Sequence, residues 1–246
     1  MSKKHYSQPE LFIRSLLYSI FSITTIVLYC TLLICTFFVP LHWTHAMARA
    51  YLKVNLNVLK FLCHIDYTVE GLENIPQDEV GVVLCKHQST WETFFIGQIF
   101  HAPAVIVKRE LLWLPFFGWA LALSGPISIN RQEKLSAMQQ VIAKGKKYLA
   151  QKRWVVIFPE GTRIPIGMVG RYRLGGARLA VATGSFVIPV AHNAGRFWPR
   201  RQFIKQPGTV HVVIGPRIES KGRTSEEVLA IAKDWIETTI TRIDKV

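Results

Sequence analysis

From Ser15 through Ala48 the chain carries no Asp, Glu, Lys or Arg, and Ser15 to Val39 is almost wholly apolar apart from Ser and Thr. An uncharged apolar run of about 18 residues or more is long enough to cross the hydrocarbon core of a bilayer as a helix. This one exceeds the apolar core of a signal peptide, and no small-residue cleavage site follows it cleanly. A retained membrane anchor is the expectation. After Pro40, residues 41–65 place apolar side chains at helical spacing with sparse charge, as in a second helix against the lipid interface. Lys3, Lys4 and Arg14 precede the run, and Arg49 and Lys53 follow it. That asymmetry is too small to orient a span, so a crossing and a re-entrant hairpin both remain open.

At 246 residues the chain can bury one substantial core. We therefore expect two parts: residues 1–65 as anchor and interfacial helix, and 66–246 as one catalytic domain. Thirty basic against sixteen acidic residues give a formal charge of +14. Such a surface favours polyanions, and beside a membrane anchor the simpler partner is anionic lipid rather than nucleic acid. The four cysteines, Cys30, Cys35, Cys63 and Cys85, show neither paired metal spacing nor a disulfide framework. A reducing cytoplasm is the expected surrounding of the domain.

Beyond residue 65, short β-like runs alternate with helical patterns. Strands are expected around 67–69, 81–85, 105–107, 127–129, 155–158, 186–188 and 210–214. Leu135, Met138, Val141, Ile142, Gly145, Tyr148 and Leu149 share a stripe on a helix over 133–150, with Asn130 and Glu133 as a capping pair. A last helix opens at Thr224 and should bury Val228, Ile231, Trp235, Ile236 and Ile240. The pattern predicts an α/β fold with a mixed, largely parallel sheet flanked by helices, preceded by the N-terminal membrane-associated helical segment. Pro189 should mark an edge strand or a strand end.

Two short blocks carry chemistry. His87 and Glu92 are five residues apart, so on one continuous helix they diverge by about 140° and cannot meet. They meet only if His87 lies in the loop after strand 81–85 and Glu92 in the first turn of the next helix, capped by Ser89 or Thr90. There an imidazole can take a proton from a hydroxyl while the carboxylate fixes its tautomer. The competing explanation is a capping box, Ser89-Thr90-Trp91-Glu92, in which Glu92 satisfies only the helix amides. In Phe158-Pro159-Glu160-Gly161-Thr162-Arg163 a turn exposes amides beside a guanidinium, which suits phosphate. An ordinary surface turn is the alternative. Lys108 and Arg109 end another strand and can supply the other half of an anion clamp, or simply a solvated face. The stretch Pro115 to Trp119 after them suits an acyl channel or plain core equally. His192 is read as structural, and Cys85 as an inert core thiol.

The chain has no Gly-x-Ser-x-Gly elbow, Walker-type loop, His-Glu-x-x-His or Gly-x-Gly-x-x-Gly. Serine hydrolase, nucleotide, zinc-protease and dinucleotide chemistries lose ground accordingly.

From about residue 66 to 216 the chain resembles the glycerolipid acyltransferases of the bacterial 1-acylglycerol-3-phosphate type, in four blocks kept in order. His87 to Glu92 resembles the family's His-x4-Asp block, and Lys108 to Arg131 its basic and Pro-Phe-Phe-Gly-Trp block. Phe158 to Arg163 and Val187 to Val190 match as they stand. Glu92 departs from the usual Asp by one methylene.

The resemblance implies an enzyme that moves a fatty acyl group to the 2-hydroxyl of 1-acylglycerol 3-phosphate, giving phosphatidic acid. His87, oriented by Glu92, acts as base. Arg163 with Gly161 and Thr162, and Lys108 or Arg109, hold the phosphate. Glu160 is carried over as a binding-block residue. The same resemblance implies no metal or resident cofactor, with acyl-coenzyme A or acyl-carrier protein as donor substrate. It also implies a bacterial inner membrane with the site on the cytoplasmic side. Another lysolipid or glycerol 3-phosphate as acceptor, and a non-catalytic anionic-lipid-binding protein, are the competing readings.

Overall fold

The computed structural model describes residues 6–130 and 134–245. Lys3, Lys4, Arg131 and Glu133, and with Glu133 the expected capping pair, lie outside them, as does the side chain of Leu135. Helix α1 (Gln8–Cys35) starts behind Ser7, whose hydroxyl accepts the Glu10 amide, and turns back into α2 (Leu41–Cys63). The hairpin is tied at its open end, where Arg14 Nη1 donates to the Leu62 carbonyl at 2.9 Å. Near its bend Tyr29 stacks on Tyr51 at 4.6 Å. α1 is the one helix among the described residues long and apolar enough to cross a membrane.

α1 is also docked along its length onto the rest of the protein. Leu11, Ser15 and Tyr18 fall on one face at helical spacing and are buried. Ser15 Oγ accepts the Lys205 amide at 2.9 Å, and Tyr18 meets Trp198 edge-on. The opposite face, with Phe12, Leu16, Ile20, Ile23 and Val27, is exposed. α2 buries Leu56, Leu59 and Cys63 in the same core as the sheet.

The sheet has seven strands in the order β1-β7-β6-β2-β5-β3-β4. They are β1 (Ile65–Glu70), β2 (Val82–Cys85), β3 (Ala104–Lys108), β4 (Ile127–Ile129), β5 (Val155–Ile157), β6 (Val187–His192) and β7 (Gly208–Ile214). Every pairing is parallel except β6 with β7. All seven strands fall where the sequence places them, and the architecture is the mixed, largely parallel α/β fold expected. Strand alternation divides the core. Val83 and Cys85 of β2 face the layer of α2 and α3 (Trp91–Ile99). Val82 and Leu84 face α5 (Lys134–Ala150), α6 (Gly175–Thr183) and α7 (Ser225–Ile243). α6 lies so close to the sheet that a Cβ on Gly176 would sit 2.4 Å from the Leu84 side chain.

Three expectations need correction. Pro189 sits inside an interior strand, between β7 and β2. The Phe186 and Val190 carbonyls accept amides from Val82 and Lys86, whereas Val187 and Pro189 face the β7 side. The missing N–H of proline thus falls between the Val187–Ile218 bridge and the Val190–Ile214 pair, where the antiparallel ladder is interrupted. On α7, Ile231 is 41% exposed, and Ala232, Thr239 and Ile243 complete the buried stripe instead. Pro115 to Trp119 is not plain core, since its aromatic side chains are largely exposed. α4 (Phe117–Leu123) buries Gly118 and Ala120 while Phe116 and Trp119 face outward. Ala120 packs with Cys30 and Leu33 of α1.

Candidate active site

Because β2 and β5 are parallel neighbours, with Leu84 opposite Ile157, the loops leaving their C-terminal ends lie side by side. Open α/β sheets present their ligand sites at such ends. The two loops are stitched together where the Ile164 amide donates to the His87 carbonyl at 2.8 Å. The Phe158 ring stacks on the His87 imidazole at 4.3 Å between centroids, fixing its plane. β3, on the far side of β5, brings Lys108 to the same edge.

His87 lies in the loop and Glu92 in the first turn of α3, with Nδ1 and Oε1 2.8 Å apart. The carboxylate is fully buried and also accepts amides. Oε1 takes Gln88 N at 3.0 Å and Ser89 N at 2.9 Å, and Oε2 takes Ser89 N at 3.0 Å. Capping and imidazole binding are therefore both real, and they share one oxygen. Burial opposes ionisation of Glu92, but the His87 hydrogen bond, the two nearby imidazoles and the Ser89 amide together hold its pKa below the ordinary range. An ionised Glu92 assigns the proton to Nδ1 and leaves the Nε2 lone pair for chemistry. Ser89, not Thr90, supplies the hydroxyl cap, accepting the Trp91 amide at 3.1 Å.

His192 is structural, as read. Its Nε2 donates to the Lys86 carbonyl at 2.9 Å, Nδ1 accepts the Ala194 amide, and burial pushes its pKa down. The Cys85 thiol is pushed up by burial and by the charges of Glu92 and Glu160, so it is no nucleophile.

His87 opens onto a groove of about 840 Å³ also lined by Lys108, Gly161, Thr162 and Arg163. Gly161 turns the chain with φ +68°, and its amide closes the turn on the Phe158 carbonyl. The Nε of Arg163 is enclosed and lacks a hydrogen-bond partner among the described residues, leaving a donor for an anion. Two expected residues are elsewhere. Arg109 is not part of the lining, and its guanidinium lies 6.0 Å from the Trp113 ring. Glu160 is buried beneath the groove, where Oε2 accepts the His87 amide at 3.0 Å.

The sequence reading missed Arg171, Arg173, Arg178 and Arg200, which line the same groove, while no carboxylate does among the described residues. Arg171-Tyr172-Arg173, eight residues after Arg163, was an available signal for the first two. Arg200 comes from a separate loop and donates to the Arg163 carbonyl at 2.9 Å. The sequence also passed over Lys86 as a partner of its neighbours. Its ammonium is buried between Glu160, at 3.1 Å, and Glu237 of α7, at 2.7 Å.

A base with an open nitrogen, facing a groove of cations and backed by a buried carboxylate, is the equipment of group transfer to a hydroxyl on an anionic acceptor. Residues 66–193, which hold all of the expected site residues, match the family model described as Acyltransferase. The 1-acyl-sn-glycerol-3-phosphate acyltransferase of Pseudomonas aeruginosa is 48% identical over 185 residues, covering 74% of this chain and 72% of that protein. The enzyme of the same name from Borreliella burgdorferi is 30% identical over 175 residues, covering 70% and 68%. The crystal structure of PlsC, the 1-acyl-sn-glycerophosphate (LPA) acyltransferase of Thermotoga maritima, superposes with a TM-score of 0.80 over 94% of this chain and 95% of that one. At 24% identity that likeness speaks for the fold. The chain belongs to the acyltransferase family and is an enzyme of that class.

Proposed function

We propose that the chain acylates the 2-hydroxyl of 1-acylglycerol 3-phosphate (lysophosphatidic acid) to give phosphatidic acid at a membrane surface, as a step of phospholipid synthesis. The observation that carries this reading is the His87–Glu92 pair opening onto the groove that holds Arg163. Nε2 of His87 removes the proton of the acceptor hydroxyl as its oxygen attacks the thioester carbonyl. Glu92 stabilises the imidazolium that forms. The tetrahedral intermediate then collapses, the carbon–sulfur bond breaks, and the proton passes from His87 to the departing thiolate. Arg163, the turn at Gly161 and Thr162, and Lys108 hold the phosphate. Glu160 serves from below by fixing the His87 backbone. Arg109 is a binding residue only if it leaves Trp113.

The step uses no resident cofactor. Acyl-coenzyme A or acyl-carrier protein enters as a substrate, and the basic groove suits the phosphate that both donors carry. Residues 1–65 serve as the membrane-associated part and 66–246 as the acyltransferase domain. The exposed apolar face of α1 and the charge of +14 support attachment to an anionic bilayer. The four free cysteines suit the cytoplasmic side of a bacterial inner membrane.

The test is mass spectrometry of the lipids formed by purified protein offered lysophosphatidic acid, glycerol 3-phosphate and a phosphate-free lysolipid, each with either donor. Phosphatidic acid from the first acceptor, lost in His87→Ala, is the expected result. Product from the phosphate-free acceptor alone, or lipid binding with no product at all, overturns the reading.

A further inference from the structure

The alternation of β2 sends Lys86 to the α6–α7 side of the sheet and His87 to the groove. There the ammonium is fully buried, 3.1 Å from Glu160 Oε1 and 2.7 Å from Glu237 Oε1. The same Glu237 oxygen accepts the Tyr172 hydroxyl at 2.7 Å. The other oxygen of Glu160 holds the His87 amide. A desolvated ion cluster is a poor way to gain stability, because apolar side chains of similar volume do as well or better. Its placement directly behind a reacting residue points to another account.

We propose that Lys86 and Glu237 are positioning residues for His87. Through Glu160 they fix the backbone from which the imidazole projects, so the C-terminal helix governs turnover without touching substrate. The inference rests on His87 acting as the base of the proposed acyl transfer. Burial pushes Glu160 up to about 7, and the Lys86 ammonium and the hydrogen bond from the His87 amide oppose that rise. Glu237 holds the ammonium in place from a helix 151 residues further along the chain. The imidazole is thereby located on both sides, by Glu92 at Nδ1 and by Glu160 at the peptide.

The experiment is the separation of kcat from KM in the full-length protein, with melting temperature measured alongside. Glu237→Gln keeps shape and removes charge. We expect kcat to fall about 10-fold while KM for both substrates stays within about two-fold, since a displaced catalytic group loses rate rather than binding. Glu237→Asp should regain part of that loss. Lys86→Met should lose more rate, and stability with it, because two carboxylates lose their counter-ion. In Lys86→Met/Glu237→Gln, Glu160 can take a proton, so melting temperature should recover while kcat does not. Wild-type kcat in the folded single variants, or recovery of rate together with stability in the double variant, overturns the inference. His87→Ala is run beside them. Turnover retained there overturns the acyl-transfer reading itself, whereas an inactive His87→Ala beside a fully active Glu237→Gln overturns the positioning role alone.

Discussion

Glu92 Oε1 lies 2.8 Å from His87 Nδ1 and 2.9 Å from the amide of Ser89, so one oxygen both orients the imidazole and closes the first turn of α3. The two roles fail differently when the carboxylate is altered, which makes the position a sensitive probe.

Glu92→Gln should lower kcat by roughly 10²-fold to 10⁴-fold, because an amide cannot stabilise an imidazolium or impose the tautomer. The Gln oxygen can still accept the Ser89 amide, so stability should change by less than about 1 kcal/mol. Glu92→Asp keeps the charge and should retain more rate than Gln. Steady-state kinetics with thermal melts of both variants check this, and equal rate loss in the two would contradict it.

Arg163→Ala should reduce kcat/KM for lysophosphatidic acid by about 10²-fold, the cost of removing one charge-stabilising donor. Activity toward an acceptor without phosphate should change little. Parallel rate measurements with the two acceptors provide the comparison.

Lys108 and Arg109 are neighbours in sequence but not in role. Lys108 lines the groove, so Lys108→Ala should raise KM for the acceptor about 10-fold, the scale of about 1.4 kcal/mol. Arg109 lies over Trp113, and Arg109→Ala should leave KM near wild type. A common effect of both substitutions would show that Arg109 swings into the groove.

Glu160 should make stability depend on pH in a defined direction. Burial raises its pKa from 4.5 to about 7, against the Lys86 ammonium and His87 amide and with the charge of Glu237. A raised folded-state pKa means that folding takes up a proton. This contribution is complete below the unfolded value of 4.5 and is lost as pH rises through about 7. Wild type should therefore lose melting temperature relative to Glu160→Gln on going from about pH 5 to about pH 8. Wild type gaining on the variant as pH rises would refute the assignment.

Much of the fold is local information. Runs such as 81–85 and 210–214 are short and rich in β-branched residues, with turn residues around them, and that local pattern favours a strand in each. The α1 run, the Phe158 to Arg163 turn and the His87–Glu92 spacing are likewise fixed by adjacent residues. The sequence also stated the condition under which His87 and Glu92 meet, a loop followed by a first helical turn, and the chain satisfies it.

What the sequence by itself determined, then, is which segments become strands and helices and which of them end in reactive side chains. Only the tertiary structure decided how those ends face one another. The parallel pairing of β2 with β5 sets His87 beside Arg163, and an interrupted ladder admits Pro189 into an interior strand. The position of α7 puts Glu237 against Lys86. Side-chain direction turns Arg109 onto Trp113 and Glu160 beneath the groove, while loops distant in sequence contribute Arg200. The physical reason is that strand and helix periods act over a few residues, whereas charges and hydrogen bonds act through space, between groups that meet only once the sheet order is set.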